Sequence, residues 1–286
     1  MRHVYECPVR WADLDLLGHV NNVTYIDYLQ EARIDMLLTH APDARAVDLA
    51  EGVVVVEHDV KYLHPLTFRP APVKVDTWVT EIKAGTFTMA YEVYDETDAG
   101  RIVYLQAKSV LTPYVFTEER PRRISAAERE VLTGFLGEDP LAPTAPRGPS
   151  RRTPQGHYPL QVRFSDVDIY GHVNNVKYFE YFQEGRVNYM YQMATSVEDV
   201  PDFSVVLAQM DVDYKRPILF RPEPYDVHSW VSRVGNSSFV VESEIVDGEQ
   251  VLSRARVVLV MFDPVQQKAA PASEAARQVL LGQLVS

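Results

Sequence analysis

One cysteine, Cys7, is all that 286 residues contain, so no internal disulfide can form and a reducing compartment is expected. Long apolar runs are also missing, which removes any expectation of a membrane-spanning helix. Met1 to Asp15 mixes polar and apolar residues without the charged start and apolar core of a secretory signal. These absences make the cytoplasm the expected location. Basic charge is in deficit too: 28 Lys and Arg face 40 Asp and Glu, a net charge of −12. With no Lys/Arg run interleaved with aromatics, phosphate backbones are repelled and no nucleic-acid partner is expected. Anionic small molecules stay open, because a few local arginines bind phosphate on a globally negative protein.

What is present is one long motif written twice. Arg10-Trp11-Ala12-Asp13-Leu14-Asp15-Leu16-Leu17-Gly18-His19-Val20-Asn21-Asn22 returns as Arg163-Phe164-Ser165-Asp166-Val167-Asp168-Ile169-Tyr170-Gly171-His172-Val173-Asn174-Asn175. Tyr25 to Arg33 then matches Tyr178 to Arg186, and Tyr62, Phe68, Arg69 and Trp78 are answered by Tyr214, Phe220, Arg221 and Trp230. Asp95 to Gly100 shortens to Asp247-Gly248-Glu249, as a hairpin loop tolerates. Ser125 to Leu136 resembles Ser273 to Leu284, so each copy is expected to end in a short capped helix. Between the copies, Pro140, Pro143, Pro146, Pro149 and Pro154 mark an extended linker. The expected organisation is repeat 1 over 1–136, a linker over 137–157 and repeat 2 over 158–286.

Within a copy the pattern is strand, loop, helix and four strands. Tyr25, Leu29, Ala32 and Met36 recur at helical spacing, which predicts a helix from about Asn22 to His40. Val53 to Tyr62, Val73 to Ile82, Phe87 to Tyr94 and Ile102 to Tyr114 are rich in β-branched and aromatic residues and bounded by Gly, Pro or Asp. The fold class is therefore α+β, doubled, with one long helix per copy covered by an antiparallel sheet.

Asp-x-Asp-x-x-Gly-His-Val-Asn-Asn at the start of that helix resembles the hotdog-fold acyl-CoA and acyl-ACP thioesterases of the 4-hydroxybenzoyl-CoA thioesterase-like group. The resemblance covers both copies, from roughly Tyr5 to Phe116 and Tyr158 to Phe262. It implies a tandem double hotdog, with the two sheets joined side by side as an intramolecular pseudo-dimer and active sites at the junction. Association of whole molecules into a homo-oligomer is a further family precedent. The implied reaction is hydrolysis of an acyl thioester, in fatty acid metabolism, with CoA or phosphopantetheine arriving as part of the substrate and no separate cofactor or metal.

Such hydrolysis needs a water or carboxylate aimed at the carbonyl and donors where the oxyanion develops. A helix N-terminus supplies donors, and Gly18 and Gly171 allow the tight turn before it. The resemblance assigns the oxyanion contact to the amides of Asn22 and Asn175, and the catalytic carboxylate to Asp15 and Asp168, as general base or as nucleophile. An aspartate ahead of a helix also serves as a cap or turn residue. His19 and His172 polarise water or hold the aspartate on one reading and are satisfied loop histidines on the other. Asp13 and Asp166 read as loop-stabilising, with Arg10 and Arg163 as their partners. Arg69 and Arg221, each next to a rigid proline, are candidate phosphate contacts, or else solvated loop charge. Tyr25 and Tyr178 either contact the acyl group or sit in the core with the hydroxyl at an edge.

The rival readings are a non-catalytic acyl-carrier binding module, a hotdog hydratase or dehydratase, and a divalent-metal site. The hydratase pattern Asp-x-Asn-Pro-x-His is missing here, since no Asn-Pro separates Asp15 from His19. A metal at Asp13, Asp15 and His19 would lack a further acidic ligand nearby.

Overall fold

A computed structural model of the chain describes residues 1–40, 52–142, 144, 146–195, 204–263, 265–266 and 268–284. Pro143 of the expected linker lies outside them. The chain divides into two compact units, Met1–Thr144 and Ala145–Ser286.

In the first unit β1 (His3–Cys7) leads to α1 (Thr24–His40), then β2 (Val53–Tyr62), β3 (Val73–Ile82), β4 (Phe87–Thr97) and β5 (Gly100–Val115). The strands pair antiparallel in the order β1-β3-β4-β5-β2. The short β6 (Arg120–Pro121) hangs on β5, and α2 (Ala126–Thr133) closes the unit. Ser125 caps α2: its hydroxyl accepts from the Glu128 N–H while Glu128 reaches back to the Ser125 N–H, so two orphan donors are satisfied at once.

The second unit repeats this plan. β7 (His157–Leu160), α3 (Asn175–Thr195), β8 (Val205–Tyr214), β9 (Tyr225–Val234), β10 (Ser238–Asp247) and β11 (Gln250–Asp263) are followed by β12 (Lys268–Ala269) and α4 (Glu274–Gly282). Its strand order is β7-β9-β10-β11-β8, again antiparallel. Each unit is thus a long helix wrapped by a sheet, the hotdog arrangement.

The predicted apolar stripe of α1 is the one that is buried: Tyr25, Ile26, Leu29, Ala32, Met36 and Leu37 all face inward. A fully buried Ile or Leu of this kind contributes about 1.5–3 kcal/mol relative to exposure, so this face holds the helix more firmly than intrinsic propensity does. In α3 the residue matching Ala32 is Gly185, whose missing Cβ would lie 2.7 Å from Val227 Cγ1. A side chain at this position would have to displace Val227 of β9.

The hairpin tips correct one expectation. Both turns have two residues, Asp98-Ala99 between Thr97 and Gly100, and Gly248-Glu249 between Asp247 and Gln250. The residues missing from the second copy come out of the paired strand ends, not out of the loop.

The proline-rich segment is held down by charge. Lys108 meets Asp139 at 3.2 Å in the first unit. In the second, Arg147 pairs with Asp213, Ser150 Oγ donates to Glu244 at 2.7 Å and Arg152 Nε donates to Glu244 at 2.6 Å. Glu244 is completely buried, so this pairing satisfies a carboxylate that would be costly alone.

Candidate active site

The loop ahead of α1 is built from two nested turns. Residues Trp11–Asp13 form one turn of 3₁₀ helix. Asp13, almost fully buried, accepts from the Arg10 N–H at 2.7 Å, the Arg10 Nε at 3.0 Å and the Tyr28 hydroxyl at 2.5 Å. Its carbonyl accepts from the Asn21 N–H at 2.8 Å. Tyr28 lies in the second turn of the helix, so Asp13 braces the loop against α1. Burial and the Asp13 contact push the Tyr28 hydroxyl well above its ordinary value, so it stays a donor. Asp166 repeats the brace with the Arg163 N–H at 2.9 Å and the Tyr181 hydroxyl at 2.7 Å.

Inside the brace, the Asp15 N–H donates to the His19 carbonyl at 2.8 Å and the Gly18 N–H to the Asp15 carbonyl at 3.0 Å. Gly18 has φ +75° and Gly171 φ +80°, left-handed conformations that favour glycine at this turn. Half-buried Asp15 accepts through Oδ1 from the amides of Leu17 (2.8 Å) and His19 (3.3 Å). Its Oδ2 accepts nothing among the described residues. Asp168 Oδ1 accepts from the Tyr170 N–H at 2.9 Å. The turn role and an unspent carboxylate oxygen therefore coexist in one side chain.

The helix start lies a few residues on. Asn21 Oδ1 accepts from the Val23 N–H at 2.9 Å and the Asn21 carbonyl from the Thr24 N–H at 3.0 Å, which makes Asn21 the capping residue. Asn174 does the same for Val176 at 3.0 Å and Lys177 at 2.9 Å. The N–H of Asn22 donates to no described residue, and its buried Nδ2 also lacks a partner. The carbonyls of Asn22 and Asn175 accept from Tyr62 and Tyr214 hydroxyls at 2.8 and 2.9 Å. These two tyrosines anchor the helix start to β2 and β8, a role that composition alone does not signal.

The aspartates, glycines, histidines and asparagines of the motif are thus gathered on one continuous turn in each unit. The remaining expected residues are placed elsewhere. Tyr25 and Tyr178 are buried, and their hydroxyls meet the backbone of Leu66 and of Ile218, the latter at 2.9 Å. They hold the post-β2 and post-β8 segments against the motif, where Val20 and Val173 also pair with the carbonyls of Leu66 and Ile218. This is structural work at the hydroxyl end of each ring.

Arg69 and Arg221 are likewise committed. Arg69 closes on Asp95 and on the Pro72 carbonyl (3.1 Å). Arg221 donates to Asp247 at 2.9 Å and to the carbonyls of Glu223 and Pro224, and stacks over the Tyr225 ring. Asp95 and Asp247 thus hold the two guanidiniums that the sequence offers as candidate phosphate contacts. Burial works against the charge of Asp95, but hydrogen bonds from Arg69 and Tyr104 outweigh it and hold its carboxyl below the ordinary value. A depressed folded value means the pair stabilises fully above the ordinary carboxylate range and loses this contribution as pH falls through the folded value. The destabilisation caused by Asp95→Asn, measured by urea unfolding, is therefore expected to be largest near neutral pH and to shrink in acid.

Comparison with known proteins bears on the family and the fold. An uncharacterised protein of Bacillus subtilis, YsmA, is 32% identical over 127 residues, covering 43% of this chain and 82% of the relative. A provisionally assigned oleoyl thioesterase from Lactobacillus plantarum has a similar fold, with a TM-score of 0.72 at 15% identity over 92% of this chain and 97% of that one. An acyl-ACP thioesterase from Bacteroides thetaiotaomicron aligns with a TM-score of 0.68 at 15% identity, covering 90% and 97% of the two chains. The family profile of the thioesterase-like superfamily matches residues 9–132 and again residues 162–280. Both copies of the motif fall inside these spans, and the chain belongs to the thioesterase-like superfamily as a doubled hotdog.

Proposed function

We propose that the chain hydrolyses acyl thioesters carried on coenzyme A or acyl carrier protein, releasing the free acid and the thiol. One observation carries the reading: in the first unit a half-buried carboxylate with Oδ1 locked by two amides and Oδ2 unspent shares a short turn with an unspent helix-start N–H. Asp15 and Asp168 act ionised. Oδ2 of Asp15 either takes a proton from the attacking water or attacks the carbonyl itself to give a mixed anhydride that water then opens. The thiolate leaves readily, so no strong acid is required. The amides of Asn22 and Asn175 receive the oxyanion, aided by the positive end of the helix dipole. His19 and His172 orient water beside the acid. The likeness to folds whose members act on oleoyl and acyl-ACP substrates supports an acyl thioester as the substrate class and a role in fatty acid metabolism.

A panel of aliphatic and aromatic acyl-CoA esters, followed by free-thiol release, tests this reading. Acyl-dependent release of CoA is the expected result. Binding of the esters without release from any of them identifies a carrier-binding module instead.

A further inference from the structure

Beside each catalytic turn the surface carries an aromatic pair that the proposed chemistry does not use. Trp11 is 73% exposed and stands edge-to-face with Phe68, 41% exposed, at a centroid distance of 5.3 Å. In the second unit Phe164 (82% exposed) and Phe220 (50% exposed) repeat the pair at 5.9 Å. Large exposed aromatics that recur at the same place in two copies are poorly explained as core residues or as scattered surface apolar side chains. An arginine directly precedes each leading ring. Arg10 keeps its side chain 66% exposed while pairing with Asp13, and exposed Arg163 makes no ion pair among the described residues. Phe68 directly follows Thr67, which bridges to His19, and Phe220 follows Leu219, which bridges to His172, so one ring of each pair borders the turn where a thioester must arrive. Exposed Leu16 and Leu17, with Ile169 in the second unit, continue the apolar rim.

Resting on the thioesterase reading, we propose that Trp11–Phe68 and Phe164–Phe220 hold the nucleotide end of coenzyme A, with an adenine face on the rings and, in the second unit, phosphate beside Arg163, whose guanidinium is not spent on a carboxylate as that of Arg10 is on Asp13. A flat π-face with an adjacent cation matches a base carrying phosphates. Charge selects against the other carrier. An acidic protein approaching a chain of net charge −12 meets long-range repulsion, whereas a nucleotide engages one local arginine. The specificity that follows is for CoA over acyl carrier protein.

The test pairs Trp11→Ala/Phe164→Ala with the wild-type chain on one acyl group presented as its CoA, acyl carrier protein and N-acetylcysteamine thioesters. The expected outcome is a KM for the CoA ester raised on the order of tenfold, with kcat and the KM of the truncated ester unchanged, and recovery in Trp11→Phe. Equal shifts for all three esters, a shift confined to the carrier-protein ester, or no shift overturns the proposal. Calorimetry with 3′,5′-ADP reads the same site without catalysis. Binding that is weakened in the double variant sustains the nucleotide site even when no ester is hydrolysed, a result that counts against the hydrolase reading alone. Undetectable or unaltered 3′,5′-ADP binding defeats the nucleotide site. A change in sedimenting mass of the double variant identifies the patch as a contact between copies and likewise defeats it.

Discussion

Replacing Asp15 and Asp168 together by asparagine is expected to leave both turns folded and to lower kcat for thioester hydrolysis by about a thousandfold or more. Asparagine keeps an oxygen where Oδ1 now accepts from Leu17 and His19, so the loop hydrogen bonds survive. It replaces the unspent oxygen by an amide that neither accepts a proton near neutral pH nor attacks a carbonyl. Each single variant reports one unit: Asp15→Asn leaves the Asp168 site and the reverse, so two equal sites each retain about half of the rate on simple additivity. A double variant that hydrolyses at the wild-type rate would remove both aspartates from the chemistry. Circular dichroism and urea midpoints matching the parent chain are part of the expected result, since the brace depends on Asp13 and Asp166.

Gly156→Ala is expected to be the most damaging single methyl group in the second unit, lowering its stability by about 3 kcal/mol. A Cβ at this position would stand 1.9 Å from the Ser229 carbonyl oxygen and 3.0 Å from its carbon. Neither can retreat, because Ser229 lies in β9, paired with Ser243 of β10 on one side, and β7 flanks it on the other. Gly148→Ala is the control. Its Cβ would meet nothing closer than Glu242 Oε1 at 3.7 Å, and a change within about 0.5 kcal/mol is expected. Urea unfolding of both variants measures the difference. Equal midpoints would mean that the close approach of Gly156 to β9 is absent in solution.

Much of this architecture was legible because duplication offers each residue twice. The helix read from Tyr25, Leu29, Ala32 and Met36 runs from Thr24 to His40, and the strand from Val73 to Ile82 has those limits. Periodicity reports which side of an element is buried, and for these elements that is sufficient. It carries no information about where a hydroxyl at the end of a buried ring will land. Tyr25, Tyr62 and Tyr28 are all buried or half-buried aromatics, yet one reaches the Leu66 backbone, one the Asn22 carbonyl and one Asp13. Periodicity is equally silent on the partner of Arg69. Its neighbour Pro70 marks an exposed loop, but the carboxylate that claims it is Asp95, near the far end of β4, and no local pattern links the two.

The Asp13–Tyr28 and Asp166–Tyr181 braces have an evolutionary corollary. Each copy secures its own acid-bearing turn with residues drawn from its own helix, so a substitution at one rim leaves the anchorage of the other intact. Leu16-Leu17 and Ile169-Tyr170 differ between the two copies at this rim. A doubled chain built in this way can vary one rim without loosening the turn of the other copy.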